Sequence, residues 1–129
     1  GIQLDSFPGP LGQVVTNLVN NAVIHAFETQ SHGEIIIEAY AAGDDTAEIQ
    51  IQDNGSGIPQ HHLPRIFDPF FTTRLGKGGS GLGLHIVYSI VTRVLGGKIQ
   101  VKSRPSAGTL FTIQIPLVAP ATAKPEINE

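Results

Sequence analysis

Two apolar stripes with helical spacing, each followed by a pair of short alternating runs, constrain this fold more than any other feature of the chain. Over residues 11–27, Leu11, Val14, Val15, Leu18, Val19, Ala22, Val23 and Ala26 recur at the spacing of one helix face, as expected for a helix packed on a sheet. Ser31-His32-Gly33 breaks the pattern. Residues 34–41 and 47–52 alternate as strands and join across Gly43-Asp44-Asp45, a hairpin-type connection. Helical periodicity returns over residues 82–95, with Leu84, Val87, Ile90, Val91 and Leu95 on its buried side, and Gly96-Gly97 ends it. Residues 98–103 and 109–116 form a second hairpin, turning at Pro105-Ser106-Ala107-Gly108. A short edge strand at Ile2 and Leu4, a turn at Phe7-Pro8-Gly9-Pro10 and a helical turn over residues 60–67 complete the reading. The order helix, strand, strand, loop, helix, strand, strand predicts an α+β two-layer sandwich. Its sheet is mixed, mostly antiparallel, and covered on one face by helices. A doubly wound fold needs parallel strands alternating with helices, and this order does not alternate that way.

The 129 residues suffice for one domain with a real core. Residues 1–117 read as that domain. Residues 118–129 mix Pro, Ala and charge and read as a disordered tail. A net charge of −3 offers no broad basic surface, so nucleic acid is a poor partner. The absence of Cys excludes disulfides and thiolate chemistry without fixing the compartment. The apolar stretches are too short to span a bilayer, and no leader is visible. There is no Met, even at the start, so the chain reads as a piece of something longer. Nine glycines fall between Gly55 and Gly97, which assigns the glycine excess to particular loops.

The chemistry concentrates in four places. Asp53-Asn54-Gly55-Ser56-Gly57-Ile58-Pro59 follows a predicted strand directly. A strand end fixes the Asp53 carboxylate, and the glycines let backbone approach a flat ligand. The same run is also an ordinary turn signal. Asn17 and Asn21 share one helix face. Their amide oxygens suit a hard cation that completes its shell with water and phosphate. Asn20, off that face, reads as a solvated amide. Residues 68–81 form a long glycine-rich loop, of the kind that is functional or mobile inside a compact domain. Gly79, Gly81 and Gly83 alternate up to an apolar helix and suit an anion cradle, whereas residues 76–78 read as a hinge. The run is neither a Walker A loop nor a strand-led dinucleotide fingerprint. Phe67, Phe70 and Phe71 cluster beside the loop, either as a satellite core or as an apolar anchor that moves with ligand or docks a partner. Arg74 and Lys77 either neutralise phosphate or are solvated. The five His residues have no Glu or Cys at zinc-ligand spacing. His25, one turn beyond Asn21, is open to two readings, a nucleotide contact or a half-buried helix residue.

Together these elements resemble the catalytic ATP-binding domain of sensor histidine kinases, within the gyrase–Hsp90–kinase–MutL ATPase superfamily. The resemblance covers residues 11–116. Asn17-Leu18-Val19-Asn20-Asn21-Ala22 is similar to the N box, and Asp53-Asn54-Gly55-Ser56-Gly57-Ile58 to the G1 box. Ile66-Phe67-Asp68-Pro69-Phe70-Phe71-Thr72-Thr73 is similar to the F box, and Gly79-Ser80-Gly81-Leu82-Gly83-Leu84 to the G2 box. Gly108-Thr109-Leu110-Phe111 looks like the last Gly-Thr motif. Five boxes in the right order are highly specific.

The resemblance implies a Bergerat-type fold that binds ATP and Mg²⁺. Asp53 then accepts a hydrogen bond from the adenine amino group, Gly57 lets the base approach, and Thr109 reaches the ring through water. Asn21 holds the metal with Asn17 nearby. Gly79, Ser80, Gly81, Leu82, Gly83 and Leu84 wrap the phosphates as part of a lid. Gly55, Ile58, His25, Phe67, Thr73 and Arg74 complete the implied nucleotide contacts. Two positions depart from the family. Ile24-His25 stand where many members carry Lys-Tyr, which puts a lysine contact to phosphate in doubt. Asn17 stands where hydrolysing relatives place a Glu, so water attack should be slow and phosphoryl transfer is favoured.

The implied function is supply of the γ-phosphoryl group to a histidine on a separate dimerisation and phosphoacceptor domain, which then serves a response regulator. His25 is not that acceptor, no catalytic residue is assigned within the chain, and it should not autophosphorylate alone. The chain is expected to be a cytoplasmic monomer, and the full-length protein a homodimer with room for anchoring in the bacterial inner membrane. An anti-sigma-factor serine kinase domain and a degenerate, nucleotide-free docking module are the alternatives.

Overall fold

A computed structural model describes residues 8–23, 33–69, 71 and 83–117. Helix α1 (Pro8–Asn21) is followed by strands β1 (Ile35–Ala41) and β2 (Thr46–Asp53) and a 3₁₀ turn (Gln60–Arg65). Helix α2 (Gly83–Ser89) runs on into a wider π-type turn (Ile90–Val94), and strands β3 (Lys98–Ser103) and β4 (Thr109–Pro116) close the fold. The four strands form one sheet in the order β1-β2-β4-β3. Every pairing among the described residues is antiparallel. The expected two-layer α+β sandwich is therefore what forms. The expected strand at Ile2 and Leu4 and the tail over residues 118–129 lie outside the described residues.

Period-2 patterning sets the inner face of the sheet. Ala47, Ile49 and Ile51 on β2 and Phe111, Ile113 and Ile115 on β4 are buried. The register aligns them in rows. Ile49 faces Ile113, which faces Ile99, and Ile51 faces Phe111, which faces Val101. Val14 and Leu18 of α1 and Val87, Val91 and Leu95 from the second helical stretch close this core. Each fully buried aliphatic side chain contributes roughly 1.5–3 kcal/mol. The opposite face is polar. There Glu48 accepts hydrogen bonds from Gln50 at 2.7 Å and Gln114 at 2.9 Å, and these bonds, Gln114 first, hold its carboxyl below the usual range.

Three local expectations need correction. Pro8-Gly9-Pro10 is not a turn but the first turn of α1. Proline fits there because the amides of the first turn have no intrahelical acceptor. Val23, placed on the apolar stripe by its spacing, is 56% exposed. Of residues 82–95, the described part, 83–95, is not one regular α-helix. After Ser89 the ladder widens, with Leu95 N–H donating to Ile90 O at 2.9 Å, and Thr92 Oγ1 donates back to Tyr88 O at 2.8 Å. The widened turn still buries Val91 and Leu95.

Ile113 has no exposed surface at the centre of the middle row. Ile113→Ala is expected to lower stability by about 2–5 kcal/mol, read from the midpoint of urea unfolding. A shift within error would contradict this packing.

Candidate functional site

The apolar rows of the sheet end in a polar one. At the C-terminal end of β2, Asp53 pairs with Thr109, and Thr109 pairs with Ser103. These three are buried on the same inner face as the core, exposed by 9%, 5% and 9%. A buried polar group costs stability unless its hydrogen bonds are made. Here they are made. Asp53 Oδ1 accepts the Gly55 N–H at 2.8 Å, and the Thr109 backbone N–H also supports the carboxylate. Ser103 Oγ lies 2.8 Å from the Ile58 amide, 2.9 Å from Gly108 O and 2.8 Å from Thr109 Oγ1. Burial is the largest influence on Asp53 and pushes its carboxyl above the ordinary value, against the two backbone amides.

Backbone packing holds this row in place. Asn54 Oδ1 accepts the Glu34 N–H at 2.9 Å. The Ser106 N–H donates to Ser56 O at 2.6 Å, and Gln60 donates to the Ser103 carbonyl. Gly57 and Gly108 have φ of +79° and +81°. A Cβ on Gly57 would sit 1.8 Å from Arg104 O, and one on Gly108 2.2 Å from Asp53 O. At both positions glycine is required by conformation and by space. A cleft of about 440 Å³ opens at the Ser103 end of the row, with Gln60, Leu63, Val101, Ser103 and Thr109 in its lining.

Of the residues singled out from sequence, the structure brings Asp53, Gly55, Gly57, Ile58 and Thr109 into one hydrogen-bonded and packed group. Asn17 and Asn21 lie half-buried on α1, whose Val14 and Leu18 pack into the same core. Leu84 is half-buried against that core, and Gly83 is exposed at the start of α2. Phe67 packs on the core, its ring 5.3 Å from Tyr88 and 6.4 Å from Phe111, and its carbonyl lies 3.2 Å from His85 Nδ1. Phe71 also packs on the core, under the Arg65 guanidinium at 4.7 Å. Both phenylalanines are thus partly buried against the main core. Phe70, His25, Thr73, Arg74, Gly79, Ser80, Gly81 and Leu82 lie outside the described residues.

Ser103 was not singled out from sequence. The available signal was its phase, because in β3 it shares the inner face with Ile99 and Val101. A polar residue at a core position marks a buried hydrogen-bond site.

Two outcomes follow from this geometry. Gly108→Ala is expected to destabilise the fold by about 2–4 kcal/mol, because Cβ collides with backbone that cannot rotate away; chemical denaturation reads the change. The second concerns acid. The folded-state Asp53 pKa is raised, so the folded protein binds more protons here than the unfolded chain between the unfolded and folded values. Stability gained from this group therefore grows as pH falls through its folded pKa, by about 1.4 kcal/mol for each unit of difference. The stability difference between the wild type and Asp53→Ala should move in favour of the wild type on acidification through that range. Movement in the opposite direction would show that burial does not dominate Asp53.

The profile of the Histidine kinase-, DNA gyrase B-, and HSP90-like ATPase family matches residues 8–119. Sensor histidine kinase ZraS of Salmonella typhi is 44% identical over 118 residues, which cover 92% of this chain and 24% of that protein. Alginate biosynthesis sensor protein KinB of Pseudomonas aeruginosa is 38% identical over 116 residues, 90% of this chain and 18% of that protein. The chain thus spans about a quarter or less of the curated relatives' length. Among solved structures, the nucleotide-free catalytic domain of histidine kinase ThkA is 34% identical with a TM-score of 0.73, the match covering 89% of this chain and 72% of that one. Full-length ShkA in complex with AMPPNP is 28% identical with a TM-score of 0.72, covering 89% of this chain and 23% of that one. The profile's span takes in all the described residues, the polar row included, and the chain belongs to the histidine kinase-, DNA gyrase B- and HSP90-like ATPase family.

Proposed function

We propose that this chain binds Mg-ATP and supplies its γ-phosphoryl group to a histidine on a separate dimerisation and phosphoacceptor domain of a sensor histidine kinase. The observation that carries this reading is the buried Asp53 carboxylate, held by backbone amides at a strand end beside Thr109. The AMPPNP complex of the relative ShkA and the sensor kinase relatives support it.

In this reading the adenine amino group donates to Asp53. Guanine offers a carbonyl at that place, so the carboxylate would face an acceptor and lose its bond. Gly55, Gly57 and Ile58 form the wall that the base approaches, with Thr109 reaching the ring through water. Phe67, His25, Thr73 and Arg74 are the remaining nucleotide contacts in this reading. Residues 79–84 wrap the phosphates. Asn21, with Asn17 one turn away, offers a neutral amide oxygen to Mg²⁺. No group of three His, Cys, Asp or Glu suited to a metal occurs among the described residues. That donor set fits an ion that keeps water and phosphate oxygens as most of its ligands. Bound there, the ion neutralises phosphate charge.

The acceptor imidazole nitrogen attacks the γ-phosphorus. The bond from γ-phosphorus to the bridging oxygen breaks, its electron pair leaves with ADP, and the imidazole loses its ring proton. Asn17 cannot take a proton from water, which protects ATP from hydrolysis while it waits. The phosphohistidine domain then serves a response regulator. No described helix is long and apolar enough to cross a membrane. A cytoplasmic, monomeric catalytic unit within a homodimeric sensor is the arrangement this reading favours.

Calorimetric titration with Mg-ADP tests the site. The wild type should bind, and Asp53→Ala should weaken binding more than about tenfold. Asn21→Ala should narrow the gap between binding with and without Mg²⁺. Equal binding by the wild type and Asp53→Ala would sink the nucleotide reading. Adding the dimerisation and phosphoacceptor domain and ATP should give phosphate labile to acid and stable to base; the reverse would identify a serine acceptor.

A further inference from the structure

The polar row that ends the core has a fixed hydrogen polarity. The Ser103 hydroxyl meets three groups: the Ile58 N–H at 2.8 Å, the Gly108 carbonyl at 2.9 Å and the Thr109 hydroxyl at 2.8 Å. A serine hydroxyl has one hydrogen and two lone pairs. An amide N–H only donates, and a carbonyl only accepts. Ser103 therefore gives its hydrogen to Gly108 and receives one from Ile58. One role toward Ser103 remains for the Thr109 hydroxyl, which donates into the second lone pair. Thr109 has then spent its hydrogen and keeps only lone pairs for anything else. Beside it in the ladder stands Asp53, whose ionised carboxylate also only accepts.

We propose that Ser103 is a positioning residue for base selectivity: it holds the Thr109 hydroxyl as an acceptor, so that Asp53 and Thr109 present lone pairs only. The inference rests on the reading of this site as a nucleotide pocket. A purine with a 6-amino group supplies hydrogen to such a pair, directly or through a water whose two hydrogens go to Asp53 and Thr109. A 6-oxo purine has its hydrogen on N1 instead and places an acceptor at position 6, where the pair has no hydrogen to give. Without the Ser103 hydroxyl, the Thr109 hydrogen is free to turn toward the 6-oxo group or its water. Ser103 acts through Thr109.

The test is titration with Mg-ADP and with Mg-IDP, its 6-oxo counterpart. Ser103→Ala should cut the preference for ADP by between about threefold and tenfold, while Ser103→Thr, which keeps a hydroxyl, should preserve it. In a Thr109→Val background, Ser103→Ala should no longer change the ratio. If Ser103→Ala weakens both ligands equally, Ser103 is merely structural and the inference falls. Should Ser103→Ala fail to fold, the wild type carries the test. Purine riboside diphosphate, with only hydrogen at position 6, must bind more tightly than IDP, and the reverse order overturns the inference. A wild type that binds no diphosphate overturns the nucleotide reading and this inference with it. One that prefers ADP, with an unaltered ratio in Ser103→Ala, overturns this inference alone.

Discussion

The pairing of β2 with β4 is the constraint on which the rest of the molecule depends. Their register sets Ile49 against Ile113, Ile51 against Phe111 and Asp53 against Thr109. The first two pairs build the core and the third builds the site. Because side chains alternate with a period of two, a slip of one residue would turn all three pairs to the opposite face. The apolar rows oppose that slip strongly, since it would expose side chains that are now almost wholly buried. The same hydrophobic burial that holds the sheet together therefore also fixes the carboxylate to within a residue's width.

Placing polar groups in that row is costly, and the chain offsets the cost locally. Asp53, Ser103 and Thr109 are the buried polar residues among those described. Each has partners drawn from the row itself or from the backbone that crosses its end. The carboxyl still remains above its ordinary value, so the compensation is partial. A carboxylate held at some expense to the fold, in a position that packing alone would not select, is what function retains and stability would discard.

Much of this was legible in sequence because period-2 and helical patterns survive without tertiary information. The bounds of β3 and β4 follow from alternation, and Asp53 falls at the strand end where the pattern placed it. What resisted reading depends on partners far along the chain. Ser103 sits in an ordinary alternating strand, and only its contacts with Ile58 and Thr109 give it meaning. Pro8 and Pro10 carry a turn signature, yet the same fixed φ that suits a turn also suits a helix start. The widening after Ser89 leaves no mark in periodicity, because Val87, Val91 and Leu95 keep a spacing of four through it.

The contact between the loop after β2 and the turn between β3 and β4 has a consequence for motion. Ser106 donates to Ser56, Ile58 to Ser103 and Gln60 to the Ser103 carbonyl, while Gly57 lies against Arg104 with no room for a side chain. Two segments more than forty residues apart are thus tied by one backbone–backbone bond and two bonds between side chain and backbone. Neither can open without breaking its bonds to the other. They are expected to open as a single cooperative unit, in which the Ile58 and Ser106 amides exchange their hydrogens with solvent through the same opening event and report one opening free energy.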